Sequence, residues 1–263
     1  MKKIFKYLFS LLGYELKPRR RKLDLTGDRF QPMEKQFLNK TVCIHDIKTF
    51  KLAYFEIFEE EIYKFQTQKS NPLIIDCGAN LGMSILYFKT LYPDSRIIAF
   101  EADNYIFGFL QRNLESYGFK EVMIINKAVW DKDTVLNFMP DGGAGGRLVE
   151  NTANDKVIRV EAIRLRDYLN EEIDLLKMDI EGAEYEVLMD CKEVLRNINN
   201  IFIEYHSTKT KRQRLDEILS VLTNSGFRYY IKEAGSNKYP LIDHWPESDN
   251  DLQLNIYCYK QNS

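Results

Sequence analysis

Strand-like and helix-like segments alternate along this chain after residue 71, and the alternation restricts its fold more than any other feature. Aliphatic runs such as LIIDCG, RIIAFEA, EVMIIN, DLLKMD and NIFIEYH are mostly separated by stretches with apolar residues at helical spacing. Strands that alternate with helices form a parallel sheet with helices on both faces. The closing runs FRYYIKEA and LNIYCYK are expected to pair antiparallel. The sequence therefore predicts an α/β fold with a mostly parallel sheet.

The segment before the alternating region has a different pattern. Its stretch IKTFKLAYFEIFEEEIYKFQ mixes aromatic and acidic residues at helical spacing. The pair Asn71-Pro72 then marks a boundary, because the residue before a proline avoids the helical conformation. We expect a mostly helical N-terminal extension over residues 1–70 and the main domain over residues 71–263.

Charge is unevenly distributed along the chain. The chain has 37 basic and 39 acidic side chains. Residues 1–22 contain eight of the basic and one of the acidic side chains, which leaves 29 basic and 38 acidic side chains in the remainder. An acidic body repels a phosphate backbone, so a nucleic acid is not an expected partner. The basic segment carries Ile4, Leu8, Leu11 and Leu12 on one helical face. It predicts an amphipathic helix that either docks on the domain or lies on an anionic membrane surface.

The cysteines and the hydropathy pattern bear on location. Four cysteines, at positions 43, 77, 191 and 258, are too far apart in sequence for a zinc knuckle or a CxxC pair. Reduced cysteines are typical of cytosolic proteins. No apolar run approaches the roughly 20 residues that span a bilayer, and the basic N-terminal segment has no signal-peptide cleavage site. We expect a cytoplasmic protein, either free or peripheral at the inner membrane surface.

A carboxylate and a glycine turn follow the first aliphatic run, in LIIDCGANLGMS. In an open parallel sheet, ligands bind at the carboxyl ends of the strands. Glycines there permit a tight turn and a close approach of the backbone to a ligand. We therefore expect this turn to contact a cofactor through Asp76, Gly78, Ala79, Asn80 and Gly82.

A second carboxylate, Glu101, ends the next strand, 23 positions after Gly78 (101 − 78). A carboxylate about 20 residues after a glycine turn accepts hydrogen bonds from two ribose hydroxyls. The exit of the third strand supplies Asn126 and Ala128, which would border the adenine ring. The pattern predicts a nucleoside cofactor with an unphosphorylated ribose.

The identity of the cofactor depends on the residues inside the turn. A dinucleotide fingerprint has glycine where this chain has Asn80, and that glycine admits the pyrophosphate. The carboxylate of Asp76 would repel pyrophosphate, whereas it could pair with an ammonium or a sulfonium group. The turn therefore favours S-adenosylmethionine over NAD. A nicotinamide-dependent oxidoreductase and a non-catalytic binding module with a cofactor fold are the alternatives.

A second acidic motif, LLKMDIEGAEYEVLMD, follows about 100 residues after the first. Asp179, Glu181 and Glu184 cluster just past a buried strand, where three acids are costly unless they face a site. Gly182 permits a sharp turn into the following helix.

The two motifs together resemble the FkbM-type S-adenosylmethionine-dependent methyltransferases. The resemblance is carried by IIDCGANLGMS, AFEAD, LKMDIEGAEYEVL and IFIEYH and covers roughly residues 71–207. It implies a Rossmann-like class I methyltransferase fold with a seven-stranded sheet, and O-methylation of a sugar, glycan or natural product. It also implies cofactor contacts at Asp76, Gly78, Asn80 and Glu101, with Ala102 following in EAD. Asp179 and Glu181 would lie beside the reacting centre, and Asp179 would contact either the substrate or the cofactor.

A hydroxyl nucleophile needs a base near the transferred methyl group. The strand end IEYHS offers Glu204 and His206, and the unperturbed pKa of a histidine, about 6.5, suits proton abstraction. Asp179, Glu181, Glu204 and His206 are the candidate catalytic residues. The same four side chains would also suit a divalent cation, although their spacing does not demand one.

Two loops are further candidates. DGGAGGR, which ends at Arg147, is interpreted either as a lid over the site or as a hairpin connection. LIDHWPESD could line a substrate cleft through His244 and Trp245, or it could be a surface loop.

Overall fold

The computed structural model describes residues 23–149, 156–235, 239, 241–242 and 250–260. The described chain begins with an antiparallel hairpin of strands β1 (Met33–Phe37) and β2 (Lys40–Ile44). Helix α1 (Ile47–Ala53) follows and continues as a π-helical segment, Tyr54–Glu59. The predicted amphipathic helix over residues 1–22 lies outside the described residues, as do His244 and Trp245.

Residues 23–70 contain less helix than the sequence predicts. Leu38 and Asn39 both adopt positive φ angles, 47° and 64°, as in the two-residue turns that match the twist of a hairpin. The turn therefore pairs the flanking residues as strands. Helix α1 begins only after Asp46, whose side chain accepts a hydrogen bond from the backbone N–H of Thr49.

The alternating region forms a large and a small sheet. Its strands are β3 (Leu73–Cys77), β4 (Arg96–Phe100), β5 (Val122–Ile125), β6 (Ala128–Trp130), β7 (Thr134–Met139), β8 (Arg147–Leu148), β9 (Ile158–Arg164), β10 (Ile173–Met178), β11 (Ile198–Thr208), β12 (Arg228–Glu233) and β13 (Asn250–Tyr259). The large sheet has the order β12-β13-β11-β10-β3-β4-β5. Strands β11, β10, β3, β4 and β5 run parallel, and β13 is antiparallel to both neighbours. The predicted seven-stranded, mostly parallel sheet with an antiparallel C-terminal strand is confirmed.

Helices cover both faces of the large sheet. They are α2 (Met83–Leu91), α3 (Asn104–Tyr117), α4 (Glu184–Cys191) and α5 (Leu215–Asn224). Ile74 packs with α2, α3 and the N-terminal segment on one face, and its neighbour Ile75 packs with α4 and α5 on the other. Successive side chains of a strand point to opposite faces, so β3 is fully buried, and its residues are apolar except for Asp76.

Strand order reverses at β3, which has β4 on one side and β10 on the other. The carboxyl ends of β3, β4, β10 and β11 therefore open at the same edge of the sheet, where α/β folds bind ligands. Asp103 follows the end of β4 and caps the first turn of helix α3, so the helix starts beside this edge. Gly118 ends the helix with a φ of 63°. Within the described residues, no helix combines the length and apolar character needed to cross a membrane.

Candidate active site

The turn after β3 is held against the end of β4. The backbone N–H groups of Gly78 and Ala79 both donate to the carbonyl oxygen of Phe100, at 3.0 and 2.9 Å. Gly78 has a φ of 86° and Asn80 a φ of 49°, and asparagine is among the few side chains that tolerate this left-handed region. The turn thus has the backbone path of a glycine turn although its middle position is an asparagine.

The two motifs are in direct contact. A β-carbon on Gly78 would lie 1.9 Å from the carbonyl oxygen of Asp179, so only glycine fits there. The buried ammonium group of Lys177 donates to the carbonyl oxygens of Gly78 and Cys77, at 2.6 and 3.3 Å. It also lies 3.7 Å from the carboxylate of Asp179. Lys177, which the sequence interpretation missed, therefore fixes one motif to the other.

The structure corrects the role predicted for Asp76. Its side chain is fully buried, and Oδ1 lies 3.1 Å from the ammonium group of Lys177. The hydroxyl of Ser84 donates to Oδ2. Asp76 lines neither of the cavities described below. It acts here as the partner of a buried lysine, and the geometry does not support direct contact with a cofactor.

A cavity opens beside Glu101, and we call it the Glu101 cavity. The carboxylate of Glu101 accepts hydrogen bonds from the backbone N–H groups of Asn80 and Asp103, at 2.8 and 2.9 Å. Burial raises the pKa of Glu101 to about 7. The apolar part of the wall consists of Ile106, Ala128, Val129, Phe138 and Leu148. A carboxylate beside an apolar slot fits a ribose next to a flat heterocycle.

The other residues predicted to bind the cofactor fall into two groups. Ala102 and Ala128 line the Glu101 cavity. Asn126 does not line it, because its amide donates to the carbonyl oxygens of Glu101 and Ala102, at 2.9 and 3.4 Å. Gly82 does not line it either, and instead begins helix α2 with a φ of 93°. Both residues therefore support residues of the cavity wall without lining the cavity themselves.

A second cavity adjoins the first, and we call it the Glu204 cavity. Ala79, Lys177, Glu204 and Gln253 line it. Both cavities share part of their lining, which includes Gly78, Asn80, Asp141, Gly143, Asp179 and Glu181. The shared wall is the place where a group could pass from a ligand in one cavity to a ligand in the other.

The predicted catalytic residues gather at this shared wall. Glu181 has a φ of 55° and Gly182 a φ of 95°, and this turn carries the chain from β10 to α4. The Nε2 atom of His206 lies 3.5 Å from Glu181 and 3.7 Å from Glu204. Asp179, Glu181 and His206 each offer one ligand atom within 4.8 Å of the others. Two pairs of residues from neighbouring strand ends, Asp179 with Glu181 and Glu204 with His206, thus meet in one cluster.

The titration behaviour of this cluster differs from the prediction for His206. Burial opposes its charge, but the hydrogen bond to Glu184 and the charge of Glu181 raise the pKa of His206 well above its usual value. Burial also raises the pKa of Glu181 to about 7 and that of Glu204 to about 8. A protonated imidazole cannot accept a proton, so the ionised fraction of Glu181 or Glu204 is better placed than His206 to act as a base.

The glycine loop is the hairpin connection that was one of its two predicted roles, and a lid function stays a prediction. Phe138 and Met139 pair with Leu148 and Arg147, so the loop connects a hairpin. The carboxylate of Asp141 accepts hydrogen bonds from the loop's own backbone N–H groups, at 2.7 and 3.0 Å. Asp141, Gly143 and Ala144 also contribute to the shared wall. The loop is a hairpin connection that covers the junction of the two cavities.

The N-terminal segment supplies one side of the Glu204 cavity, through Arg29, Lys48, Leu52, Glu56, Ile57 and Tyr63. Sequence interpretation missed these residues, because they lie outside the matched motifs. The helical spacing of Leu52, Glu56 and Ile57 was visible, but nothing in the sequence indicates which element α1 faces.

Comparison with known proteins identifies the family. The profile described as Methyltransferase FkbM domain matches residues 76–229. The matched region includes the whole shared wall, whereas the N-terminal segment and Gln253, which line the Glu204 cavity, lie outside it. The chain belongs to the FkbM methyltransferase family. The methyl donor is S-adenosylmethionine, and the oxidoreductase alternative is set aside.

Three relatives show how far this similarity extends. Methyltransferase sdnD from Sordaria araneosa is 29% identical over 206 residues, 64% of this chain and 80% of that protein. 2-O-methyltransferase NoeI from Sinorhizobium fredii is 28% identical over 159 residues, 52% of this chain and 65% of that protein. The solved structure of methyltransferase FkbM from Methylobacillus flagellatus KT has a TM-score of 0.50 and 14% identity, covering 79% of this chain and 48% of that one. This structure supports the fold alone.

The residues present fit S-adenosylmethionine. Glu101 would hold the ribose, and Ile106, Val129 and Phe138 would enclose the adenine ring. The methionine end would then lie at the shared wall near Gly78 and Asp179, because that wall continues the Glu101 cavity toward the Glu204 cavity.

Proposed function

We propose that this FkbM-family methyltransferase methylates a hydroxyl oxygen on a sugar, glycan or natural-product acceptor. The observation that carries the proposal is the shared wall, which has the Glu101 cavity on one side and the Glu204 cavity, with its acidic and amide side chains, on the other. The carboxylates of Asp179 and Glu181 lie at that junction. A nucleophile in the Glu204 cavity would therefore reach the methyl group past acidic side chains.

The chemistry of the wall suits an oxygen nucleophile. When bound, S-adenosylmethionine supplies a methyl group on a sulfonium, which is a good leaving group. The chain must align the hydroxyl, exclude water and remove one proton, and alignment alone supplies several kcal/mol. The pKa values of Glu181 and Glu204 are raised to about 7 and 8, and the ionised form of either carboxylate can accept that proton as the new C–O bond forms.

The lining of the Glu204 cavity supports a hydroxyl-rich acceptor. Glu56, Glu204 and Gln253 offer acceptors and donors to hydroxyl groups, while Leu52 and Ile57 offer apolar contact. One relative is named a 2-O-methyltransferase, which agrees with an oxygen as the methylated atom.

The test is release of S-adenosylhomocysteine from S-adenosylmethionine in the presence of a panel of mono- and oligosaccharides and hydroxylated natural products. We expect release to depend on a hydroxylated acceptor, with the methyl group on oxygen by mass spectrometry and NMR. Asp179→Asn should lower kcat while binding of S-adenosylhomocysteine persists. Transfer to nitrogen or carbon only would overturn the proposal. If the protein binds the donor and Asp179→Asn leaves its cellular role unchanged, the protein is a binding module.

A further inference from the structure

A histidine and two carboxylates converge at the shared wall in an arrangement that a proton-abstracting base does not require. One ligand atom each from Asp179, Glu181 and His206 lies within 4.8 Å of the other two. The side chains of Asp179 and Glu181 are 25% and 20% exposed, so both face the cavity. The side chain of His206 is only 2% exposed and reaches the cluster from strand β11.

The imidazole is held in a fixed orientation from outside the cluster. Its Nδ1 atom donates to the buried carboxylate of Glu184 at 3.1 Å. That carboxylate is in turn fixed by the backbone N–H of Gly182, at 3.0 Å. Nε2 is therefore the nitrogen directed at the cluster. A carboxylate behind a histidine that presents its second nitrogen is the usual support for a metal-ligating imidazole.

Charge supports the same conclusion. The carboxylates of Glu181 and Glu204 lie 3.5 and 3.7 Å from the Nε2 atom of His206, and Lys177 lies 3.7 Å from Asp179 but is already paired with Asp76. Carboxylates gathered in a half-buried wall repel one another unless a positive charge lies between them, either the second proton of the His206 imidazole or a divalent cation that replaces that proton. The amide nitrogen of Gln253 donates to Glu204 and lies 3.2 Å from Nε2, so it supplies only partial compensation.

We propose that Asp179, Glu181 and His206 bind a divalent metal ion at the junction of the two cavities. Two carboxylates and one imidazole suit a cation such as Mn²⁺, which takes oxygen ligands and tolerates nitrogen. An octahedral ion with ligands at about 2.1 Å would leave three positions for water or for hydroxyl oxygens of an acceptor.

The metal site adds to the proposed function. Only the catalytic role of the metal ion rests on that proposed function. A metal ion at the shared wall would bind and orient vicinal hydroxyls of the acceptor, and it would lower the pKa of the one that reacts. With Glu181 bound to the metal, Glu204 would be the carboxylate that takes the proton. The binding of the ion itself does not depend on methyl transfer, so the two proposals can fail separately.

The experiment titrates the full chain with Mn²⁺ and follows free Mn²⁺ by electron paramagnetic resonance, with S-adenosylhomocysteine binding measured in parallel. We expect one Mn²⁺ ion per chain. Glu181→Gln and Asp179→Asn should each weaken Mn²⁺ binding by roughly tenfold or more, as loss of about 1.4 kcal/mol of binding energy does. His206→Gln should do the same where its melting curve shows a folded protein.

Glu56→Gln is the matched control. Glu56 lines the same cavity and is close enough for its pKa to respond to Asp179, but it is not one of the three ligands. A general effect of negative charge would weaken Mn²⁺ binding equally in Glu56→Gln and Glu181→Gln and would overturn the proposal. So would a wild-type chain that binds S-adenosylhomocysteine but shows no saturable Mn²⁺ binding. Saturable Mn²⁺ binding without affinity for S-adenosylhomocysteine would instead count against the proposed function alone.

Discussion

Oδ1 of Asp76 lies 3.1 Å from Nζ of Lys177, and both side chains are almost completely buried. Burial disfavours the charge of Lys177, but Asp76 and Asp179 raise its pKa above the usual value. Lys177→Met would leave Asp76 as an unpaired buried charge, and we expect the free energy of unfolding to fall by about 3–5 kcal/mol in urea titrations.

Two further variants test that prediction. Lys192→Met removes an exposed lysine after α4 and should change stability by less than about 0.5 kcal/mol. Asp76→Asn combined with Lys177→Met should recover part of the loss, because the two residues are coupled. If the changes in unfolding free energy of the two single variants added up to that of the double variant, the result would contradict the pairing.

Gly78→Ala tests the contact between the two motifs. A β-carbon at Gly78 would lie 1.9 Å from the carbonyl oxygen of Asp179, at a φ of 86°. We expect calorimetry to show at least a roughly tenfold loss of affinity for S-adenosylhomocysteine, and a backbone strain of about 1–3 kcal/mol to lower stability. Gly108→Ala is the control, since nothing lies within 4 Å of its β-carbon on α3. It should gain roughly 0.5–1 kcal/mol, and similar behaviour of the two variants would refute the argument.

Glu101→Gln tests the ribose contact. Hydrogen bonds to a charged group contribute about 1.5–3 kcal/mol, so affinity for S-adenosylhomocysteine should fall by roughly 10–100-fold. An ionised carboxylate accepts these bonds best, and the pKa of free Glu101 is raised to about 7. Wild-type affinity should therefore rise as the pH increases through 7, while that of Glu101→Gln stays flat. Glu115→Gln, an exposed change on α3, should match the wild type throughout.

Burial of Glu101 also predicts how stability depends on pH. Its folded pKa of about 7 exceeds the reference value of 4.5, so the neutral form is favoured in the folded state. The stabilisation is complete below pH 4.5 and is lost as the pH rises toward 7. The difference in unfolding free energy between Glu101→Gln and wild type should move by about 3 kcal/mol in favour of the variant across that window. Denaturant titrations at several pH values measure it, and a constant difference would show that folding does not raise the pKa of Glu101.

Membrane contact through residues 1–22 stays a prediction, because those residues lie outside the described part of the chain. A variant with Arg19, Arg20 and Arg21 replaced by glutamine should bind phosphatidylglycerol vesicles more weakly by roughly 3 kcal/mol, about 1 kcal/mol per charge. The control replaces three basic residues of the body, Lys209, Lys211 and Arg212, by glutamine. Co-sedimentation that falls equally in both variants, or in neither, would leave the segment without a role at the membrane.

The sequence was most informative where chemistry and spacing are local. The strand rhythm predicted the sheet, and the acid at the end of β4, Glu101, was placed at the ligand edge by its position alone. The pairing of Asp76 was not predictable, because its partner lies 101 residues further along the chain in an apolar strand. The hairpin of β1 and β2 was missed because its turn uses Leu38 and Asn39 in place of glycine.

The sequence by itself determined the fold family, the cofactor and the list of acidic residues near the reaction, because these follow from strand periodicity and from residues adjacent in the chain. Only the tertiary structure decided which partner and which role each of those residues has. It buried Asp76 against Lys177, directed His206 at Glu181 with Glu184 behind it, and placed the N-terminal segment along the Glu204 cavity. Such pairings depend on register and packing between distant segments, and these set the environment, and hence the charge, of each side chain.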